Sequence, residues 1–303
     1  MATVTSRSRS LAASLPAALT IAALAAAACD RAPDAPPAAV AARDSAPAAA
    51  PTLAVPHDST IPEGDLGISI RRGRALLTHT RDSLPRFVGN ALTCSNCHPD
   101  AGTRAGGLPY IGVYGRFPQF RSRSARVQVI EDRIDDCFVR SMNGRALPRE
   151  GRDMYDIVAY LSFLSRGVPG NARVEGQGLT MLSVTSGDTA RGATLFGVEC
   201  ARCHGANGDG TAAGPPVWGP RSFNVGAGMA RVRTAAAFIK ANMPNDRRGT
   251  LTEQQAFDVA AYITSRPRPD LPGKEHDWPR GDPPPDVAYP TLAAARKAAA
   301  TPR

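Results

Sequence analysis

The strongest constraint on this chain is a five-residue pattern that occurs twice, Cys94-Ser95-Asn96-Cys97-His98 and Cys200-Ala201-Arg202-Cys203-His204. Two thiols three residues apart on one helical turn can each form a thioether to a porphyrin vinyl group, and the adjacent His then faces the iron from the proximal side. C-x-x-C-H is the c-type haem attachment signature. Two copies predict two covalently bound haem c groups, held by Cys94, Cys97 and His98 in one case and by Cys200, Cys203 and His204 in the other. Neither pair lies in the βαβ setting of a thioredoxin-like redox protein. A zinc site built from four Cys and two His is the other alternative; the repeat around the motifs argues against it.

That repeat is visible on both sides of each motif. Arg72-Gly73-Arg74-Ala75-Leu76-Leu77 precedes the first, and Arg191-Gly192-Ala193-Thr194-Leu195-Phe196 precedes the second. Downstream stand Asp156-Ile157-Val158-Ala159-Tyr160-Leu161-Ser162 and Asp258-Val259-Ala260-Ala261-Tyr262-Ile263-Thr264. Met154, Ile157, Val158, Leu161 and Leu164 recur at three- and four-residue steps, as an amphipathic helix buried on one face requires. An N-terminal helix, a haem motif, a ligand loop and a C-terminal helix packed on the first form a small cytochrome c domain. The expected fold is therefore all-α, with two such domains in tandem and long loops between their helices.

The termini have a different character. Residues 1–28 pair Arg7 and Arg9 with an Ala/Leu-rich run and read as a secretory signal peptide. Pro16 and the weakly apolar alanines argue against a permanent transmembrane helix. Cys29, directly after that run, predicts a lipid-anchored mature N-terminus, although Ala26 stands where lipoprotein signals usually carry Leu, so plain cleavage near Ala28 is the alternative. Residues 29–65 are largely Ala and Pro and lack the apolar mass to offset their ordering entropy, which predicts a disordered tether. The domains are expected at 66–168 and 187–268, joined by a linker at 169–186 that contains Pro169-Gly170. A proline-rich arm at 269–303 should run extended along the surface. Export to the periplasmic side of the envelope as a tethered lipoprotein follows. Removing residues 1–28 lowers the formal net charge from +9 to +7. The mature protein stays basic, with nothing that calls for nucleic acid.

Porphyrin supplies four iron ligands and His98 or His204 a fifth, so each centre depends on its sixth position. Met243, in Asn242-Met243-Pro244, follows His204 by 39 residues, with Met229 and Lys240 as competitors. The same step from His98 lands on Cys137. Four of the six cysteines belong to the motifs and Cys29 to the anchor, so Cys137 is unpaired in an oxidising compartment. It is a buried inert thiol or an iron ligand, and the register favours the ligand; Met142 and His79 are the fallbacks. His57 and His276 read as solvated. Thiolate lowers an iron potential and thioether raises it, so electrons should pass from a His98/Cys137 centre to a His204/Met243 centre.

Arg104, Arg116, Arg121, Arg123 and Arg126 fall in a stretch with no Asp or Glu. A run of this kind is ordinarily a solvated face. Between His98 and Cys137, some of it must surround the first haem, which favours an anionic substrate held by guanidinium forks.

Several separated segments then agree, in order, with one family. Cys94 to Gly102, Phe117-Pro118-Gln119-Phe120-Arg121-Ser122-Arg123 and Glu131 to Gly144 resemble the thiosulfate dehydrogenase family of dihaem cytochromes. So do Trp218-Gly219-Pro220, Gly226-Ala227-Gly228-Met229, Asn242-Met243-Pro244 and Lys274 to Pro279. The likeness spans roughly residues 66–290. It implies a periplasmic enzyme that joins two thiosulfates into tetrathionate or runs the reverse, passing electrons to a small soluble or membrane cytochrome. By matching motif it implies that Cys137 ligates the active-site haem in the first domain, that Arg121, Arg123 and Ser141 line the substrate pocket, and that Met243 serves the electron-transfer haem. Some relatives carry Lys directly before that Met, where this chain has Asn242. Two other readings compete: a non-catalytic dihaem carrier in which Cys137 only tunes potential, and a sulfur-oxidation cytochrome that loads thiosulfate onto a carrier protein. A dihaem peroxidase fits poorly, because nothing marks a vacant sixth position.

Overall fold

The computed structural model describes residues 52–300, so the signal segment, Cys29 and most of the tether lie outside the described residues. Helix α1 (Gly64–Thr78) opens the first half, followed by the first haem motif, a hairpin of β1 (Gln119–Arg121) and β2 (Arg126–Gln128), α2 (Ile130–Asp136) and α3 (Arg152–Phe163). The second half contains α4 (Thr189–Glu199), α5 (Val232–Asn242) and α6 (Glu253–Thr264), and the chain closes in α7 (Leu292–Ala300). The fold is mostly helical, as expected. The short antiparallel hairpin, which pairs Phe120 with Val127, is the addition.

One crossing is built twice, and it gives the repeated residues their reason. Gly73 of α1 lies against Asp156 of α3 so closely that a Cβ there would stand 1.9 Å from the Asp156 carbonyl oxygen. At Gly192 of α4 the corresponding distance to the Asp258 carbonyl of α6 is 2.0 Å. Only glycine lets the two backbones meet like this. The preceding arginine locks each crossing: Arg72 donates to Asp156 and Asp153, and Arg191 Nε donates to Asp258 Oδ2 at 2.8 Å.

Each half has its own core. Met154, Ile157, Leu161 and Leu164 of the α3 stripe are buried with Ile70, Leu76 and Leu77 of α1, and Val158 packs partly buried against them. In the second half Phe196, Ala256, Phe257, Val259 and Ala260 form the core, with Trp218 and Tyr262 at its side. Asp188 starts α4 by accepting from Ala190 N and Arg191 N, and a Thr252/Gln255 capping box starts α6.

The two halves are laced together. Asn90 Nδ2 donates to Ser141 O at 2.8 Å and Ser222 O at 3.1 Å, Ala91 N to Arg221 O at 3.0 Å, and Asn242 Nδ2 to Gly106 O at 2.9 Å. The proline-rich arm runs back along the first half and is anchored there. Trp278 N donates to Arg123 O, and Arg140 makes a two-pronged ion pair with Asp277, which also accepts from Tyr289 Oη. Among the described residues no helix is long and apolar enough to cross a membrane.

Candidate haem and substrate site

Cys94, Cys97 and His98 occupy one tight turn, in which His98 N donates to Cys94 O at 3.0 Å. His98 Nδ1 meets Leu108 O at 2.6 Å, so that nitrogen is occupied and Nε2 is the one left to coordinate. The Tyr110 ring stacks on the imidazole with centroids 4.4 Å apart. That stacking requires Gly102, whose missing Cβ would stand 1.9 Å from the Tyr110 ring. Burial holds the His98 imidazole down to about 4, partly offset by its bond to Leu108, and burial pushes the Cys94 and Cys97 thiols up to about 12. A neutral imidazole is the form that binds a metal.

These residues open onto a cavity of about 310 Å³. Apolar side chains such as Leu92, Ile134, Phe138, Ile157 and Leu161 make up much of its wall, as a porphyrin needs. Cys137, its fallback Met142 and Ser141 all line the same cavity. His79, the other fallback, is exposed and lines a separate cleft, and His57 and His276 are exposed.

Cys137 opens a single widened turn of π helix, Cys137–Ser141, that continues α2. Such turns are rare and concentrate at functional sites. Arg133, one turn earlier on α2, donates from Nη1 to Cys137 Sγ at 3.1 Å. Its guanidinium is held above its usual pKa, chiefly by the neighbouring Cys137 charge and against the cost of burial. The arrangement sets a fixed guanidinium charge directly against the Cys137 sulfur.

Arg116 and Arg121 line the cavity with Arg133, and among the described residues no carboxylate does. Burial, followed by the charge of Arg133, lowers the Arg121 pKa. Arg123 is not part of this lining. Its Nη1 donates to Gly226 O at 2.6 Å and its guanidinium lies 4.6 Å from the Trp278 ring centroid. Arg133 is not among the expected site residues, although its position four residues before Cys137 puts both on one helical face.

In the second half, Cys200 N donates to Phe196 O, His204 N to Cys200 O, and His204 Nδ1 meets Pro215 O at 2.8 Å. Burial lowers the His204 pKa and pushes the Cys200 thiol up to about 11. Met243 packs against the same core as Cys200, whereas Met229 packs against the first core. Lys240 Nζ is engaged by Gly249 O at 2.9 Å and Leu251 O at 2.7 Å. Among the described residues no group of three or more His, Cys, Asp or Glu is gathered for a metal ion, so the six motif side chains do not converge into one zinc centre. Both donor sets fit covalently attached haem.

Residues 88–169 match the family described as SoxA/TsdA, cytochrome c domain, and residues 187–263 match that described as cytochrome C oxidase, cbb3-type, subunit III. The molecule is thus a dihaem c-type cytochrome with two covalently bound haem c groups. A protein of Allochromatium vinosum named thiosulfate dehydrogenase is 47% identical over 228 residues, covering 72% of this chain and 84% of that one. A thiosulfate dehydrogenase of Psychrobacter arcticus is 42% identical over 243 residues, covering 78% and 74%. The structure of thiosulfate dehydrogenase TsdBA from Marichromatium purpuratum superposes with a TM-score of 0.69 at 39% identity, covering 73% of this chain and half of that one. The chain belongs to the thiosulfate dehydrogenase family.

Proposed function

We propose that this cytochrome oxidises two thiosulfates to tetrathionate in the first domain and passes the two electrons through the second. The observation that carries the reading is the Arg133–Cys137 contact inside a cationic cavity shared with His98. His98 and Cys137 would hold the iron of the first haem, and His204 and Met243 that of the second. Cys94 with Cys97, and Cys200 with Cys203, would carry the thioethers.

Two dianions must meet for this reaction, and their repulsion grows as the effective dielectric falls. Arg121, Arg116 and Arg133 are fixed charges that offset it before the reaction begins, and the Ser141 hydroxyl is available to a sulfonate oxygen. Cys137 thiolate forms a bond to the outer sulfur of one thiosulfate, giving a Cys–S–thiosulfonate and releasing two electrons. The outer sulfur of a second thiosulfate attacks the sulfur bonded to Cys137, tetrathionate departs, and the thiolate returns. No proton is consumed. Arg133 stabilises the thiolate as it leaves. When bound, the haems would supply one-electron acceptors, and Met243 as a thioether ligand would give the second the higher potential.

Arg123 supports the pocket from behind in this reading, through the Gly226 carbonyl and Trp278, rather than facing substrate. The N-terminal pattern ending in Cys29 supports export and lipid anchoring on the periplasmic side, where a small cytochrome would take the electrons. An anaerobic assay of the purified holoprotein tests the proposal: thiosulfate should reduce an artificial acceptor with one tetrathionate formed per two electrons. Reduction without tetrathionate would favour the carrier-loading reading, and no reduction at all the plain electron carrier.

A further inference from the structure

The turn that carries Cys137 is held in large part by residues outside its own helix. In a widened turn the bonds run to the fifth residue, as from Met142 N to Cys137 O at 2.9 Å, and the carbonyls that follow need other donors. Phe138 O accepts from Gly144 N at 2.9 Å. The next two are both served by Asn224, from the second half of the chain: its Nδ2 donates to Val139 O at 2.9 Å and its backbone N to Arg140 O at 3.3 Å. Ser141 O accepts from Asn90 Nδ2.

Asn224 is fully buried and all its polar groups are used. Nδ2 also donates to Asn143 Oδ1 at 3.2 Å, Oδ1 accepts from Gly226 N at 3.0 Å, and its carbonyl accepts from Ala227 N at 3.1 Å. Asp here would set a carboxylate against the Val139 and Asn143 oxygens. Gly226, held by Asn224, offers its own carbonyl to Arg123. The Arg140–Asp277 pair braces the same turn from the arm.

We infer that Asn224 is a positioning residue for Cys137: through the Val139 and Arg140 carbonyls, the second domain fixes the turn that presents the Cys137 sulfur to Arg133 and to the first cavity. The inference rests on the proposed function only for what Cys137 does. The hold on the turn is testable without it.

The test uses the holoprotein and its Asn224→Ala and Asn224→Ser variants, both of which keep the backbone bond to Arg140. Serine is the gentler change, since it keeps a hydroxyl, yet one too short to serve both Val139 O and Gly226 N. Hydrogen exchange of the peptide covering residues 137–144 should speed up ~10- to 100-fold, the equivalent of losing one or two buried hydrogen bonds. Exchange in α4 and α6 should stay as in the parent. The ferric thiolate-type spectrum of the first haem should split or weaken while the second haem's spectrum is unchanged, and kcat should fall. Unchanged exchange at 137–144 in both variants, or equal acceleration across all helices, would overturn the inference. If the parent lacks a thiolate-type spectrum, the ligand assignment fails instead, and the exchange result still decides the role of Asn224.

Discussion

Replacing Arg133 with Met removes a guanidinium but keeps most of its apolar length, and so isolates the contact to Cys137 Sγ at 3.1 Å. A hydrogen bond to a charged partner contributes about 1.5–3 kcal/mol. In the proposed cycle the charge on Cys137 is regenerated as tetrathionate departs, so that loss falls on the transition state. At about 1.4 kcal/mol per tenfold, kcat should drop roughly 10- to 150-fold. Weaker capture of the dianion, with only Arg116 and Arg121 left at the cavity, should raise KM as well. Arg133→Lys keeps the charge on a more strongly hydrated head without the planar fork and should lose less. Initial rates over a range of thiosulfate concentrations, on preparations with confirmed haem content, provide the assay. An Arg133→Met enzyme within twofold of the parent in both parameters would refute the reasoning, because the contact would then stabilise nothing that forms during turnover.

Met243→Ala should alter the second haem's spectrum and lower its potential, since thioether favours ferrous iron; Met229→Ala and Lys240→Met should leave both unchanged, and the reverse pattern would reassign the ligand. Gly192→Ala should destabilise the protein by about 1–3 kcal/mol through overpacking, as its Cβ would meet the Asp258 carbonyl at 2.0 Å. A gain in chemical-denaturation stability would contradict that crossing. Burial works against the Asp258 carboxylate, but its bonds to Arg191, Asp188 N and Gln254 hold it below the usual range. Its contribution is present above the unfolded value near 3.8 and is lost as pH falls through the lower folded value. The acid-unfolding curve of Asp258→Asn should therefore be flatter below about pH 4, and an unchanged slope would show that the carboxylate is not held.

The local chemistry was legible because it is written locally. Two C-x-x-C-H turns carry their own signature, while the repeated Arg-Gly and Asp-x-x-x-Tyr segments belong to the same helix crossing in both halves, which the structure explains by close backbone contact at Gly73 and Gly192. The step of 39 residues led from His98 to Cys137, and that residue does line the first cavity. What escaped depends on distant partners. Asn224 meets Val139 across 85 residues and Arg140 meets Asp277 across 137, and neither pair leaves a periodic signal. The matching motif placed Arg123 in the pocket together with Arg121, two positions before it. A strand turns neighbours at that spacing to one face, but β1 ends at Arg121 and the turn carries Arg123 towards Trp278. The β hairpin itself is three residues a side, too short for alternation to stand out.

The central claim is that Cys137 is the reacting sulfur of a tetrathionate-forming enzyme, and the most direct measurement is anaerobic tetrathionate yield from Cys137→Ala beside the parent. Mass spectrometry would first confirm two haems on each chain. The parent should form one tetrathionate for every two thiosulfates consumed, and the variant, folded and fully haem-loaded, should fall to the background of a protein-free control. Tetrathionate formation by Cys137→Ala at the parental rate would contradict the account.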